Sequence, residues 1–291
     1  MWIVVAQHEQ SKEQIDVSGE LICEAGFLDG VLVCGETPTI LPISPSIQGA
    51  CPGDLAYMNF RSGPRDARMF YGPSGPMILY GSQSQYACLG IWVQDVRMLL
   101  DSFHLERFAV SKLFMAATEV RRPVPWKGIE KNFFVFWDLQ GKAYVHHDIV
   151  PERVFAELDF DGSVGENLAP NSAGHDQACM ASLMPYAAPD FESIHQATNS
   201  LSITLCKRAD PKCVPDEHNT YIMHIFHHKV SRRIRDVGFV VESPILIITD
   251  TNVAADILRL SRNIRAIRHT VPECRSFRGT WHLPATALDP R

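Results

Sequence analysis

Asp66-Ala-Arg-Met-Phe-Tyr-Gly72, Asn132-Phe-Phe-Val-Phe-Trp-Asp138 and Asn199-Ser-Leu-Ser-Ile-Thr-Leu205 are three short strand-like runs, each led by a polar residue. Their first residues stand 66 and then 67 positions apart. One interval back lies Met1-Trp-Ile-Val-Val-Ala-Gln7, another strand-like run, and one interval forward falls near Arg265. A fixed period of this size is the signature of one supersecondary unit repeated about five times.

Outward from these runs, the chain up to about residue 230 is dominated by strand and turn signals. Met77-Ile-Leu-Tyr80 follows the first run across Gly72-Pro-Ser-Gly-Pro76, which predicts a hairpin with a Gly/Pro loop. Lys142-Ala-Tyr-Val-His-His147 follows the second run across Leu139-Gln-Gly141, and Thr220-Tyr-Ile-Met-His-Ile-Phe-His227 follows the third. Further strands are predicted at Gly90–Val96 and Val154–Leu158, with a turn at Asp159-Phe-Asp-Gly-Ser163. About 66 residues per unit leaves room for four strands and their loops. Radial repetition of four-stranded sheets is a β-propeller. The expected fold is therefore all-β, a five-bladed β-propeller whose last blade is divergent or incomplete. It forms a single domain over 1–291, with a clear pattern over 1–229 and a divergent Arg-rich segment over 230–291.

That last segment breaks the rhythm. Asp250 or Thr251 is a candidate helix N-cap. Val253, Ile257, Leu260, Ile264 and Ile267 then recur at helical spacing, with Arg259, Arg262, Arg265 and Arg268 off the stripe. A packed helix with a solvated arginine face is the expectation.

The chain carries a net charge of −6, spread unevenly. Ten Arg and six acidic residues after Lys229 give that segment about +4, and the rest about −10. An acidic main body argues against nucleic acid as a principal ligand. No apolar run is long enough to span a bilayer, and no secretory signal peptide is expected at the amino terminus. None of the eight Cys forms a Cys-x-x-Cys pair, so no metal site is predicted from spacing. Cys206 and Cys213 bracket a turn-rich loop and suit a disulfide, which fits an oxidising compartment. The missing signal pulls the other way, and localisation stays open.

In a propeller the innermost strands line a central channel, and residues at their starts gather at one mouth. The candidates are Asp66 and Arg68, then Glu130, Lys131 and Asn132, then His195, Gln196 and Asn199. Asp66 and Glu130 come from adjacent units, and paired carboxylates at one pocket serve glycoside cleavage. The alternative is that Asp and Asn at strand starts bind local backbone. Tyr71, Trp92 and Trp137 lie near these segments, where they suit a flat ligand or packing between blades. The pairs His146-His147 and His227-His228 point to opposite sheet faces and do not chelate one metal. There is no phosphate loop or serine-nucleophile elbow.

The runs Gly63-Pro-Arg-Asp-Ala-Arg-Met-Phe-Tyr-Gly72, Gly81-Ser-Gln-Ser-Gln85, Ile91-Trp-Val-Gln-Asp-Val-Arg97 and Ile129-Glu-Lys-Asn-Phe-Phe-Val-Phe-Trp-Asp138 resemble a fungal family of five-bladed propeller proteins. Ser193-Ile-His-Gln-Ala-Thr-Asn-Ser-Leu-Ser202 and Leu205-Cys-Lys-Arg-Ala-Asp-Pro-Lys-Cys213 extend the likeness, which covers roughly residues 1–229. Members of that family with known chemistry are hetero-Diels–Alderases of tropolone–sesquiterpenoid (meroterpenoid) biosynthesis. The resemblance implies a cofactor-independent pericyclase that joins a tropolone-type ortho-quinone methide to a humulene-type sesquiterpene. It implies polar donors for the heterodiene oxygens among Arg68, Lys131, His195 and Asn199. It also implies Glu130 and His195 as an acid–base pair that eliminates water, with Asp66 beside them. Asn132, Trp137, Gln196, Tyr71 and Trp92 would bind substrate. The competing expectations are a glycoside hydrolase or transferase using Asp66 and Glu130, and a non-catalytic binding propeller or inactive remnant.

Overall fold

The computed structural model describes residues 2–12, 15–44, 51–100, 114–172, 192–206, 211–216, 219–234, 237–250 and 257–261. Strands dominate these residues, in four mainly antiparallel sheets that follow one another along the chain. The first sheet holds β1 (Trp2–Lys12), β2 (Ile15–Leu28), β3 (Val31–Cys34), β4 (Thr39–Ile40) and β5 (Arg61–Ser62). The second is β6 (Arg65–Gly72), β7 (Gly75–Ser82), β8 (Gly90–Asp95) and β9 (Thr118–Val120), in that order. The third is β10 (Phe134–Trp137), β11 (Ala143–Asp148) and β12 (Val154–Glu157). The fourth runs β13 (Glu192–Gln196), β15 (Thr220–Ile234), β16 (Val237–Asp250) and β17 (Ile257–Ser261), with β14 (Leu201–Thr204) also paired to β15.

The period-two alternation of strand side chains explains how the sheets stack. Along Phe133–Phe136, Phe133 and Val135 join Phe70, Leu79 and Val93 of the second sheet. Phe134 and Phe136 turn the other way and join Ile194, Ile222 and Phe226 of the fourth. β7 divides likewise. Met77 and Leu79 face the third sheet, whereas Ile78 and Tyr80 pack with Ile22 of the first and with Leu41 and Ile43 just past β4. A strand apolar on both sides needs a sheet on each side, so the central strands read as continuous apolar runs. Each such side chain, when fully buried, contributes about 1.5–3 kcal/mol.

The polar first residues of the repeated runs have a backbone reason. Asp66 (φ 54°) and Asn132 (φ 62°) both adopt the left-handed conformation, which Asp and Asn tolerate better than other side chains bearing a Cβ. Just upstream, Gly63 (φ 87°) passes so close to the Ser18 carbonyl that any Cβ would overlap it. The starts of the runs lie side by side. Asp66 N–H donates to Gln7 Oε1 of β1 at 2.8 Å, and Arg68 Nη2 donates to Asn132 Oδ1 at 2.9 Å. Asn199 Nδ2 donates to the Met69 carbonyl at 3.1 Å, and Ser200 Oγ to that of Val135 at 2.6 Å.

Three disulfides staple the described residues: Cys23–Cys34 within the β2–β3 hairpin, Cys51–Cys88, and Cys206–Cys213. Their Cα separations are 5.7, 5.4 and 5.8 Å, inside the usual range for a bridge.

Three expectations are corrected or left partial. The all-β expectation holds: four mainly antiparallel sheets are present among the described residues, and none of them closes on itself. β15 does not stop at Lys229 but continues to Ile234 and pairs with β16 over Tyr221–Ile234. The part of the expected helix that is described, Ile257–Ser261, is β17, paired antiparallel to Ile245–Thr249. The apolar run Pro244-Ile-Leu-Ile-Ile248 presents a sheet edge to it, and backbone pairing there overrides a five-residue helical pattern. Val253, Ile264, Ile267 and the arginines at 262, 265 and 268 lie outside the described residues. No helix among the described residues is long and apolar enough to cross a membrane.

Candidate functional site

Where the start of β6 meets the segment leading into β10, the surface dips into a shallow, solvent-open depression whose enclosed part has room for little more than a water molecule. Asp66, Arg68, Lys131 and Asn132 line it together with Leu79, Leu89, Ile91 and Phe133. Polar groups from the second sheet and from the segment before the third thus sit over Leu79 of β7, Ile91 of β8, Leu89 and Phe133, all of them buried. The left-handed turns at Asp66 and Asn132 aim these segments at each other, and the Arg68–Asn132 hydrogen bond ties them. Burial pulls the Arg68 guanidinium below its ordinary pKa, and the Asp66 charge pushes it partly back. Lys131 is exposed.

Glu20 stands behind this turn. It is 1% exposed and its Oε1 accepts from Ala67 N–H at 3.2 Å. Burial pushes its carboxyl up to about 7, the Ala67 N–H pulls it down, and the Asp66 charge adds to the rise. The signal for Glu20 was present in the alternation of β2, where Ser18, Glu20 and Ile22 share the buried register.

The other expected site residues do not line the cleft. Glu130 is 2% exposed and turned into a polar core. It accepts from Arg122 Nη1 at 3.1 Å and from Lys127 N–H at 2.6 Å. Arg122 also reaches Asp148 at 2.7 Å, and Lys127 Nζ caps Asp148 at 2.6 Å. Burial raises the Glu130 carboxyl, while the Lys127 N–H and the Arg122 charge pull it down. Asp66 and Glu130 therefore do not pair at one pocket, because an arginine eight residues upstream claims Glu130. His195 packs edge-on against His227 of β15 with ring centroids 5.6 Å apart. Gln196 is buried, with Nε2 lying 3.0 Å from His146 Nδ1. Asn199 serves the backbone of β6 through its bond to Met69.

Among the aromatics, Trp137 packs on Phe70 at 5.9 Å and lies over Gly72, where a Cβ would collide with its ring. Trp92 donates from Nε1 to the Gln83 carbonyl at 3.1 Å and packs toward the first sheet. Tyr71 is 77% exposed and apart from the cleft.

A second polar cluster lies between the third and fourth sheets. His146 and His147 of β11 face opposite ways, His146 stacking on Phe134 at 4.9 Å and His147 meeting Phe133 edge-on at 4.5 Å. Arg153 Nε donates to His146 Nε2 at 3.2 Å. His224 of β15 lies 4.4 Å from Phe134 and 4.6 Å from Phe226, and neither of its ring nitrogens has a hydrogen-bond partner. Burial pushes all three imidazoles down, His147 to about 4 and His224 to about 3. Arg153 adds to the effect on His146 and His224. Among the described residues, no three His, Cys, Asp or Glu side chains converge as metal ligands do.

Comparison of the chain with protein-family models, with curated proteins and with solved structures returned no match.

Proposed function

We propose that this protein is a cofactor-independent enzyme of secondary metabolism, a hetero-Diels–Alderase-like pericyclase that works in the Asp66–Lys131 cleft. The stacked sheets are, in this reading, blades of a five-bladed β-propeller, and the cleft is part of its central mouth. The observation that carries the proposal is the composition of the cleft: two cations, a carboxylate and an amide set over Leu79, Leu89, Ile91 and Phe133. A pericyclase needs little more than this. A planar heterodiene rests at the rim of the cleft. Arg68 and Lys131 donate to its oxygens and stabilise the charge that develops there. The open side admits the alkene, and holding both reactants in a reactive pose lowers the barrier by several kcal/mol or more.

The glycosidase reading loses support, because it requires two carboxylates facing one sugar and Glu130 is held by Arg122. Arg68 and Lys131 replace the Glu130–His195 pair as the working groups. The three disulfides favour an oxidising compartment.

The test is incubation of purified protein with a tropolone quinone-methide precursor and humulene. The expected result is faster formation of the dihydropyran adduct with one stereoisomer in excess. Adduct formed at the uncatalysed rate, with the uncatalysed stereochemistry, rejects the enzymatic reading.

A further inference from the structure

We infer that the Asp66–Lys131 cleft binds its ligand as a monoanion, recognising an ionised carboxylate or enolate head group at the rim formed by Arg68 and Lys131. The inference rests on the reading of the cleft as a ligand site, and it adds the charge state of what enters.

The cleft carries unmatched charge. Arg68 and Lys131 both line the cleft, and neither makes an ion pair with another side chain. The one side-chain hydrogen bond of Arg68 goes to the neutral amide oxygen of Asn132. A guanidinium carries five N–H donors in a fixed fork, so most of that fork is left for a guest. Asp66 is the one carboxylate in the lining, which leaves the cleft with a net charge of +1. One negative charge completes it. A second would meet Asp66, so a phosphate dianion is disfavoured.

Geometry points the same way. Arg68 is held in place from the side by Asn132, which leaves its orientation set before a ligand arrives. Charge-assisted bonds from a fork to an oxyanion are short and directional, and roughly twice as strong as neutral ones. Lys131, exposed at the rim, supplies a point charge that reaches the same head group. Phe133, Ile91 and Leu79 are 2, 7 and 3% exposed and belong to the core beneath, so the charged rim and not the apolar floor meets the ligand. Outside this cleft the main body of the chain is acidic, so the positive spot is local, and short-range recognition explains it better than long-range steering.

Benzoate and benzamide share a shape and differ in charge, which makes them the probes. Each is titrated into the full chain at neutral pH, with amide chemical shifts and calorimetry as readouts. Benzoate is expected to bind at least tenfold more tightly than benzamide and to move the amide signals of Asp66, Lys131 and Asn132. Lys131→Ala lies at an exposed position and is expected to keep the fold while losing most of that preference, and Lys131→Arg to restore it. Raising the salt should weaken benzoate and leave benzamide unchanged. Benzamide binding as tightly as benzoate overturns the monoanion assignment and leaves the cleft standing as a ligand site. Neither probe moving those three amides overturns both.

Discussion

Arg122→Met is expected to cost this protein about 3–5 kcal/mol of stability, read as a fall in the midpoint of urea unfolding. Arg122 is buried and bridges two carboxylates, Glu130 at 3.1 Å and Asp148 at 2.7 Å. Methionine matches its stem but supplies no charge. Glu130 would be left deep in the structure with only the Lys127 backbone N–H to bind it. Removing one partner of a buried pair costs more than the pair itself contributes, because the remaining charge has lost its water and its counter-ion. The double variant Arg122→Met, Glu130→Gln should therefore recover much of the loss. A single-variant loss below about 1 kcal/mol would contradict this account of the network. Lys131 and Asn132 directly follow Glu130 in the chain, so the same variant should also weaken benzoate binding in the cleft. The polar core positions the wall that carries the site.

The second large effect concerns acid. His146, His147 and His224 are buried and neutral in the folded chain, with folded pKa values below the unfolded value of about 6.5. Below that value the unfolded chain takes up protons that the folded chain refuses. Stability from these groups is thus intact above about pH 6.5 and falls as pH drops toward the folded values, about 4 for His147 and about 3 for His224. Glu20 works in the opposite sense. Its folded pKa of about 7 lies above the ordinary 4.5, so its contribution improves as pH falls through 7. Burial also raises Glu119 of β9, which accepts from Gln85 N–H at 3.0 Å, and Glu130, and both act in the same direction. A single variant separates the terms. His224→Phe fits among Phe134 and Phe226 and removes two buried ring nitrogens that lack partners. It is expected to be more stable than the native chain by about 1–3 kcal/mol at neutral pH. The gap should widen by up to about 1.4 kcal/mol for each pH unit below 6.5. A gap that stays constant from pH 7 to pH 4.5 sinks the idea that His224 is refused a proton by the fold.

Alternation made most of the strands legible. The second and third sheets follow the predicted hairpins to within a residue or two at most ends, because β7, β8, β10 and β11 are buried on both faces and declare themselves as apolar runs. The tail reads as helical because Val253 to Ile267 satisfies a helical stripe, whereas β16, the strand just upstream of it, draws Ile257–Ser261 into antiparallel pairing. Polar first residues were legible as a group but mixed in purpose. Asp66 and Asn132 meet a backbone requirement and also line the cleft, while Asn199 serves the β6 backbone. The fate of Glu130 was hidden, since its partners Arg122 and Asp148 sit outside the repeated runs and only the folded register of β11 brings Asp148 near. The Cys206–Cys213 bridge was readable from its short loop. Cys23–Cys34 and Cys51–Cys88 were not, because spacing alone does not pair eight cysteines.

The β2–β3 hairpin carries a consequence for how this protein behaves in concentrated solution. β3 pairs with β2 on one side, and all four of its residues are exposed. Phe27, Leu28, Val31, Leu32 and Val33 show their side chains on both faces of the tip. Such an edge is a template for further strands, and proteins commonly guard it with lysine, proline or a bulge. None of these is present between Glu24 and Glu36. The only charges there are Glu24, Asp29 and Glu36, all negative, so two approaching tips repel each other. Mutual repulsion rather than a steric block then keeps neighbouring molecules from zipping together at this edge. Repulsion of that kind fades as dissolved ions shorten its range, to about 3 Å at molar ionic strength. Self-association through this hairpin is therefore expected to rise from low to molar salt, read as light scattering of the concentrated protein.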